Sequence, residues 1–290
     1  MGEALFEAAA ARLRAGEAGT ARELFRRAAA EGERRAAVVF VNLLAAGVGG
    51  PRDWPGALRL LRELARSGRR SAAELARIEA MALDEAGDPV HIPIGETLCE
   101  APHVLRFEAL LSAAECRYLV EAATPMLAPA AVVDPATGRQ RPDPLRVGEG
   151  VGFTAPLETP AVHALNRRLA AASGTAVTQG EPLQVLRYRP GGEYRTHFDA
   201  IPGFANQRTM TFLVWLSDGF EGGETWFETP RLALRGRPGD AILFRNTAPD
   251  GRRDPASGHA GLPVKAGEKW LASRWIRARP YAQALGETAA

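Results

Sequence analysis

His197 and Asp199 stand two residues apart, His259 follows about sixty residues later, and Lys269 lies ten residues beyond it. Side chains i and i+2 of a β-strand project to the same face, so His197 and Asp199 could grip one metal ion together. His259 would supply the third ligand. Two imidazoles and one carboxylate on one face of an octahedron suit ferrous iron and leave the opposite positions open to a co-substrate and dioxygen. Each ligating histidine should also have its second ring nitrogen fixed by a hydrogen bond. Taken singly, either histidine is more often solvated than metal-bound and Lys269 is more often a surface charge. Only the four together point to an iron site with an acid-binding lysine.

Something must hold these groups in place, and the chain has the material for it. Its 290 residues suggest one large domain, or one with a smaller companion. A hydrophobic share of 46% and a charged share of 24% are those of a globular protein, neither disordered nor membrane-embedded. The longest apolar stretch, 36–48, is interrupted by Asn42 and is too short to span a bilayer. Met1-Gly2-Glu3-Ala4 does not open a secretory signal, so the expected compartment is the cytoplasm. Cys99 and Cys116 cannot build a disulfide framework. The net charge of +2 comes from interspersed acids and bases with no Lys/Arg block longer than a pair, so no nucleic-acid partner is expected. Oligomeric state is not legible.

Residues 1–86 are expected to form an α-helical arm, rich in Ala, Leu, Arg and Glu with apolar residues at three- and four-residue steps. Within it Ala21-Arg22-Glu23-Leu24-Phe25-Arg26 matches Ala57-Leu58-Arg59-Leu60-Leu61-Arg62 at an offset of 36. That period resembles tetratricopeptide-type helical hairpins. Only about two copies fit, fewer than such arrays need to stand alone, so the helices should buttress another domain or dock a partner. Residues 87–97, with Pro89, Pro93, Gly87 and Gly95, read as a linker, and 98–290 as the second domain. There Ser112-Ala113-Ala114-Glu115 is a capping box that opens a helix. Residues 161–172 form another helix, with His163 expected on its surface. The segment 125–152 reads as a strand and a loop, and the remainder as short strands at 183–188, 210–216, 225–228, 240–244 and 269–276. Many short strands separated by Gly and Pro turns imply a closed or two-sheet β architecture.

Three further runs raise the specificity. Gln184-Val185-Leu186-Arg187-Tyr188, Gly258-His259-Ala260-Gly261-Leu262-Pro263-Val264, and Gly267-Glu268-Lys269-Trp270 continuing to Trp275-Ile276-Arg277 resemble the prolyl 4-hydroxylase-like branch of the Fe(II)- and 2-oxoglutarate-dependent dioxygenases. The likeness runs from about residue 98 to 281. It implies an α+β fold: a double-stranded β-helix, or jelly-roll, with flanking helices, here preceded by the helical arm. It implies His197, Asp199 and His259 as iron ligands, Lys269 as partner of the far carboxylate of 2-oxoglutarate, and Tyr188 and Thr211 as residues lining the co-substrate pocket. Charge balance supports the lysine separately. Fe(II) with one carboxylate retains one positive charge, so a buried dianion needs a second cation. Lysine is scarce, 2 residues against 34 arginines, although Lys265 has no evident role. Gly222-Gly223-Glu224-Thr225 matches a family hairpin whose glycines permit positive φ. An intact Asp199 disfavours the halogenating variant of the chemistry, which lacks the carboxylate.

The expectation is therefore a hydroxylase of unactivated C–H bonds that uses Fe(II), 2-oxoglutarate and dioxygen, with ascorbate in support. A prolyl residue of a protein or peptide is the leading substrate. Hydroxylation of a free amino acid or small metabolite stands beside it, as does a non-catalytic helical-repeat adaptor with a ligand-binding oxygenase-like domain. Arg146 and Glu149 in the loop, and Trp226 and Arg245 on strands, are the candidate substrate-facing residues. Several protein-directed members carry an aromatic residue near Arg245, so collagen-like substrates do not follow automatically.

Overall fold

A computed structural model describes residues 1–133, 140–142 and 145–281. Two compact units are present among them: residues 1–91 with 153–168, and residues 92–152 with 169–281.

The first unit contains α1 (Gly2–Arg14), α2 (Ala18–Ala30), α3 (Arg34–Ala46), α4 (Trp54–Ala65) and α5 (Arg69–Ala80), each packed on the next. Local signals set their ends. The Asp53 side chain accepts from the Gly56 N–H at 2.8 Å, capping α4, while α3 stops at Gly47, whose φ of 72° is easy only for glycine. Helices α2 and α4 begin 36 residues apart, the offset seen in the sequence. Ala9, Ala21, Phe25, Ala28, Ala36 and Leu43 form one apolar cluster, which Ala155 joins.

Ala155 marks a departure from a single cut at the 87–97 linker. Residues 153–168 belong with the helices because Asn42 Nδ2 donates to the Pro156 carbonyl at 2.8 Å and Glu74 Oε1 accepts from the Ala161 N–H at 2.9 Å. A second correction falls in the same stretch. His163, expected on the surface of its helix, is 2% exposed, and its Nδ1 lies 2.9 Å from Glu158 Oε1. The helix, Pro160–Ser173, which we call α7, buries most of its circumference rather than one stripe, so its polar positions are also enclosed.

The second unit holds α6 (Ala113–Ala123), whose Ser112–Glu115 capping box forms as expected, and the strands. In order these are β1 (Glu96–Glu100), β2 (His103–Phe107), β3 (Ala128–Pro129), β4 (Ala131–Val133), β5 (Gln140–Pro142) and β6 (Arg146–Val147). Next come β7 (Glu149–Gly152), β8 (Gln184–Tyr188), β9 (Glu193–His197), β10 (Arg208–Trp215), β11 (Phe220–Gly222) and β12 (Thr225–Phe227). The last are β13 (Leu232–Leu234), β14 (Ala241–Arg245), β15 (His259–Gly261), β16 (Val264–Gly267) and β17 (Lys269–Arg277). An eight-stranded sheet runs β1-β2-β14-β10-β17-β8-β7-β3 and a five-stranded one β13-β12-β15-β9-β6, with every pairing antiparallel. Both contribute to one core: Leu186, Leu213, Ile242 and Leu271 from the larger, Phe227 from the smaller. Part of the loop expected within 125–152 lies outside the described residues.

One buried ion cluster ties β10 and β17 to the chain ahead of β8. Glu181 accepts from Arg208 Nε and Arg277 Nε, both at 2.6 Å, and is 6% exposed. Removing one member of a buried ion group leaves charge without a partner, at a cost of about 3–5 kcal/mol. Glu181→Ala is expected to destabilise the protein by that order in urea unfolding. Arg189→Ala, which breaks the exposed pair with Glu268, should change stability by less than about 1 kcal/mol. Equal effects would mean that the buried cluster carries no special weight.

Candidate metal centre

Strands β9 and β15 are antiparallel neighbours in a register that sets His197 opposite His259. Cross-strand partners share a face, and the two rings lie 4.3 Å apart between centroids. Strand β9 ends at His197, so Asp199 is not within the strand but in the bend that follows. There the chain leaves the sheet and the carboxylate turns toward Thr211 on β10.

His197 Nε2 is 3.7 Å from Asp199 Oδ1, and His259 Nε2 is 3.7 Å from Asp199 Oδ2. All three ligand atoms fall within 4.8 Å of one another. Atoms bonded at about 2.1 Å to one cation sit roughly 3–4 Å apart, so the spacing fits a single ion. Each imidazole is also aimed. His197 Nδ1 donates to the Arg195 carbonyl at 2.8 Å and His259 Nδ1 to the Ser257 carbonyl at 3.0 Å. Carbonyls only accept, so the proton sits on Nδ1 and the Nε2 lone pair is left for a metal. Ring contacts hold these orientations. Tyr194 stacks on His197 at 3.5 Å, and Phe244 meets His259 edge-on at 4.7 Å.

The electrostatics favour the metal-ready forms. Burial, reinforced by His259, pulls His197 down to a pKa of about 4, which keeps it neutral. Burial pushes Asp199 upward, but His259, His197, Arg208 and the Thr211 hydrogen bond outweigh it and hold the carboxyl below its ordinary range.

Beside the triad is a cavity whose wall includes Arg146, Tyr188, Leu213, Lys269, Ser273 and Trp275. Its lysine follows from strand parity: Lys269, Leu271, Ser273 and Trp275 alternate along β17 onto one face, and all four line the cavity. Register pairs Lys269 with Tyr188 on β8. Lys269 is 2% exposed, and burial above all, with help from Arg146 and Arg235 and against Glu224, lowers it to about 7. Room for its stem comes from Gly223. With φ of 68°, as the hairpin reading required, a side chain there would be strained and would approach Lys269 Cδ to 3.1 Å.

The remaining expected site residues divide. Tyr188 lines the cavity, and its hydroxyl accepts from Arg146 Nε at 2.9 Å. Arg146 therefore lies in the cavity wall, its guanidinium 4.9 Å from the Tyr194 ring centre. Thr211 does not line the cavity but donates to Asp199 Oδ2 at 2.6 Å. Glu149 is also elsewhere. It pairs with Arg187 at 2.7 Å, on the face of β8 opposite to Leu186 and Tyr188. Trp226 alternates with Thr225 and Phe227, which point inward, and so takes the other face of β12. Arg245 is exposed at the end of β14. Neither belongs to the cavity wall. Sequence reasoning missed Tyr194 and Ser273, of which only Ser273 was accessible from parity along β17.

The profile of the 2OG-Fe(II) oxygenase superfamily matches residues 183–277. Prolyl 4-hydroxylase 1 of Arabidopsis thaliana is 34% identical over 201 residues, which is 63% of this chain and 71% of that protein. Probable prolyl 4-hydroxylase 3 from the same plant is 32% identical over 210 residues, covering 64% and 73%. Among solved structures, the 2OG complex of the viral collagen prolyl hydroxylase from Paramecium Bursaria Chlorella virus-1 superposes with a TM-score of 0.50 at 29% identity, covering 63% of this chain and 99% of that one.

Proposed function

This chain belongs to the prolyl 4-hydroxylase-like 2OG-Fe(II) oxygenases, and from that premise we propose that it hydroxylates a prolyl residue of a protein or peptide. It is a 2-oxoglutarate-dependent dioxygenase whose cofactors are Fe(II), 2-oxoglutarate and dioxygen. The observation that carries the reading is the pair of Nδ1-tethered imidazoles whose Nε2 atoms flank one buried carboxylate beside a buried lysine. That donor set fits ferrous iron. Bound there, iron with 2-oxoglutarate and dioxygen would supply the oxidising power for the C–H bond, and the protein supplies placement.

In this proposal His197, Asp199 and His259 hold the metal, Lys269 pairs with the far carboxylate of 2-oxoglutarate, and Tyr188 packs along the co-substrate with its hydroxyl fixed by Arg146. The strand order suits a double-stranded β-helix, and the 36-residue spacing of α2 and α4 suits a tetratricopeptide-type arm that buttresses the enzyme or engages its partner. The cytoplasm is the proposed compartment, which suits two unpaired thiols, Cys99 and Cys116. Ascorbate is proposed as a supporting reductant.

The test is succinate release by iron-loaded protein given 2-oxoglutarate, ascorbate and either proline-containing peptides or free amino acids, with mass spectrometry of the products. Peptide-dependent succinate with one added oxygen on proline is expected. Release with free amino acids but no peptide would move the substrate class to small metabolites. No release with either, despite binding of 2-oxoglutarate, would make the protein an adaptor.

A further inference from the structure

Behind Asp199, away from the cavity wall, stands a short polar chain that no part of the reaction has yet used. Thr211 Oγ1 donates to Asp199 Oδ2 at 2.6 Å, and Asn246 Nδ2 donates to Thr211 Oγ1 at 2.8 Å. All three residues are buried, with Asn246 fully enclosed. The directions follow from proton count. A threonine hydroxyl has one hydrogen, and a carboxylate can only accept, so that hydrogen must point to Asp199. Oγ1 can then only accept from Asn246, which fixes the amide with its nitrogen toward Thr211. Turned the other way, the amide oxygen would compete for that single hydrogen.

Asn246 reaches a second ligand through its backbone. Its carbonyl accepts from the Asp254 N–H at 3.0 Å, and the Ser257 N–H bonds to the Asp254 carbonyl at 3.1 Å. That turn presents the Ser257 carbonyl that fixes His259 Nδ1. The Asn246 N–H is itself tied to the Thr209 carbonyl at 2.8 Å. One residue thus braces Asp199 through side chains and His259 through main chain. Its Oδ1 has no hydrogen-bond partner among the described residues, an arrangement that costs stability.

We propose that Asn246 and Thr211 form an oriented relay that positions the metal centre, committing Asp199 Oδ2 to Thr211 so that Oδ1 is presented to the ion. The inference rests on the metal-centre reading above. Partners that orient a metal's ligands contribute about 10- to 100-fold to metal affinity. Thr211→Val, which keeps shape and removes the hydroxyl, is expected to weaken Co(II) binding by that order and to change the visible spectrum of the Co(II) form. Thr211→Ser, which restores the hydroxyl, should recover most of the affinity. Asn246→Leu should weaken Co(II) binding without lowering the melting temperature of the metal-free protein. In the Thr211→Val background it should add nothing, because the relay acts as a unit.

The assay is Co(II) titration of full-length protein followed by visible absorption, with melting of each metal-free variant alongside. Wild-type affinity in Thr211→Val, or a Thr211→Ser as weak as Thr211→Val, would overturn the relay. So would losses of affinity that simply track losses of melting temperature. If the unsubstituted protein bound no Co(II), the metal centre itself would fall, a result distinct from any of these. Should Asn246→Leu fail to fold, the two Thr211 variants still decide.

Discussion

Asp199→Ala is expected to abolish 2-oxoglutarate turnover while leaving a folded protein. Asp199 is the sole carboxylate among the three ligand residues and is 3% exposed. Without it, a divalent ion between His197 and His259 would carry two positive charges into a poorly solvated site with no anion to offset them. The loss of metal affinity should therefore exceed the roughly 10- to 100-fold that follows removal of a group acting only on a ligand. Folding suffers less. The substitution removes a buried charge and leaves the Thr211 hydroxyl without its acceptor, a deficit of about 1–3 kcal/mol. Circular dichroism should match the parent, Co(II) titration should show little or no binding, and succinate release should disappear. Turnover within about tenfold of the parent, which is only ~1.4 kcal/mol of transition-state stabilisation, would remove Asp199 from the metal.

Much of this centre was legible in the sequence because chemistry and local geometry point the same way. Histidine, aspartate and lysine are expensive to bury without a task, and strand parity predicts which neighbours share a face. The strands at 184–188, 208–215 and 269–277 and the capping box at Ser112 emerge close to where pattern alone put them. What parity cannot supply is which sheet a strand joins. Arg146 and Glu149 look equivalent as two charges in one loop, yet Gly148 stands between β6 of the five-stranded sheet and β7 of the eight-stranded one. A Cβ at Gly148 would come within 2.8 Å of the Tyr188 ring. After that change of sheet, Arg146 meets Tyr188 in the cavity wall and Glu149 meets Arg187 on the other side of β8.

Thr211 shows the complementary limit. Its side is fixed by alternation with Leu213, but its partner comes from a bend twelve residues earlier whose course no periodicity describes. Asn246 is further removed still, since its role exists only once Thr211 and the Ser257 turn are both in place. The three candidate ligands and the cavity lysine could be named from their types and spacing. Those that aim them depend on contacts between elements, where sequence pattern is silent.

Lys269→Ala is expected to raise the 2-oxoglutarate requirement while sparing the metal. Lys269 lines the cavity but contributes no atom to the His197, Asp199 and His259 cluster, so Co(II) affinity should stay near that of the parent. Losing one partner of a buried charge pair costs about 2–5 kcal/mol. That is on the order of thirtyfold or more in 2-oxoglutarate affinity. A pH signature separates this pairing from mere packing. In the folded chain burial holds Lys269 at about 7, whereas the unfolded chain keeps the ordinary 10.5. Between those values the unfolded state binds more protons, so this residue makes the metal-free protein more stable as pH rises through that window. Co-substrate binding has the opposite slope. A dianion favours the charged ammonium, so above about pH 7 binding must take up a proton, and affinity should fall by up to about tenfold per pH unit. Calorimetric titration of the parent on both sides of neutrality should show that decline. Lys269→Ala should bind weakly throughout and lose the slope. A variant with unchanged 2-oxoglutarate affinity, or one that kept the parent's pH dependence, would assign the far carboxylate to another residue.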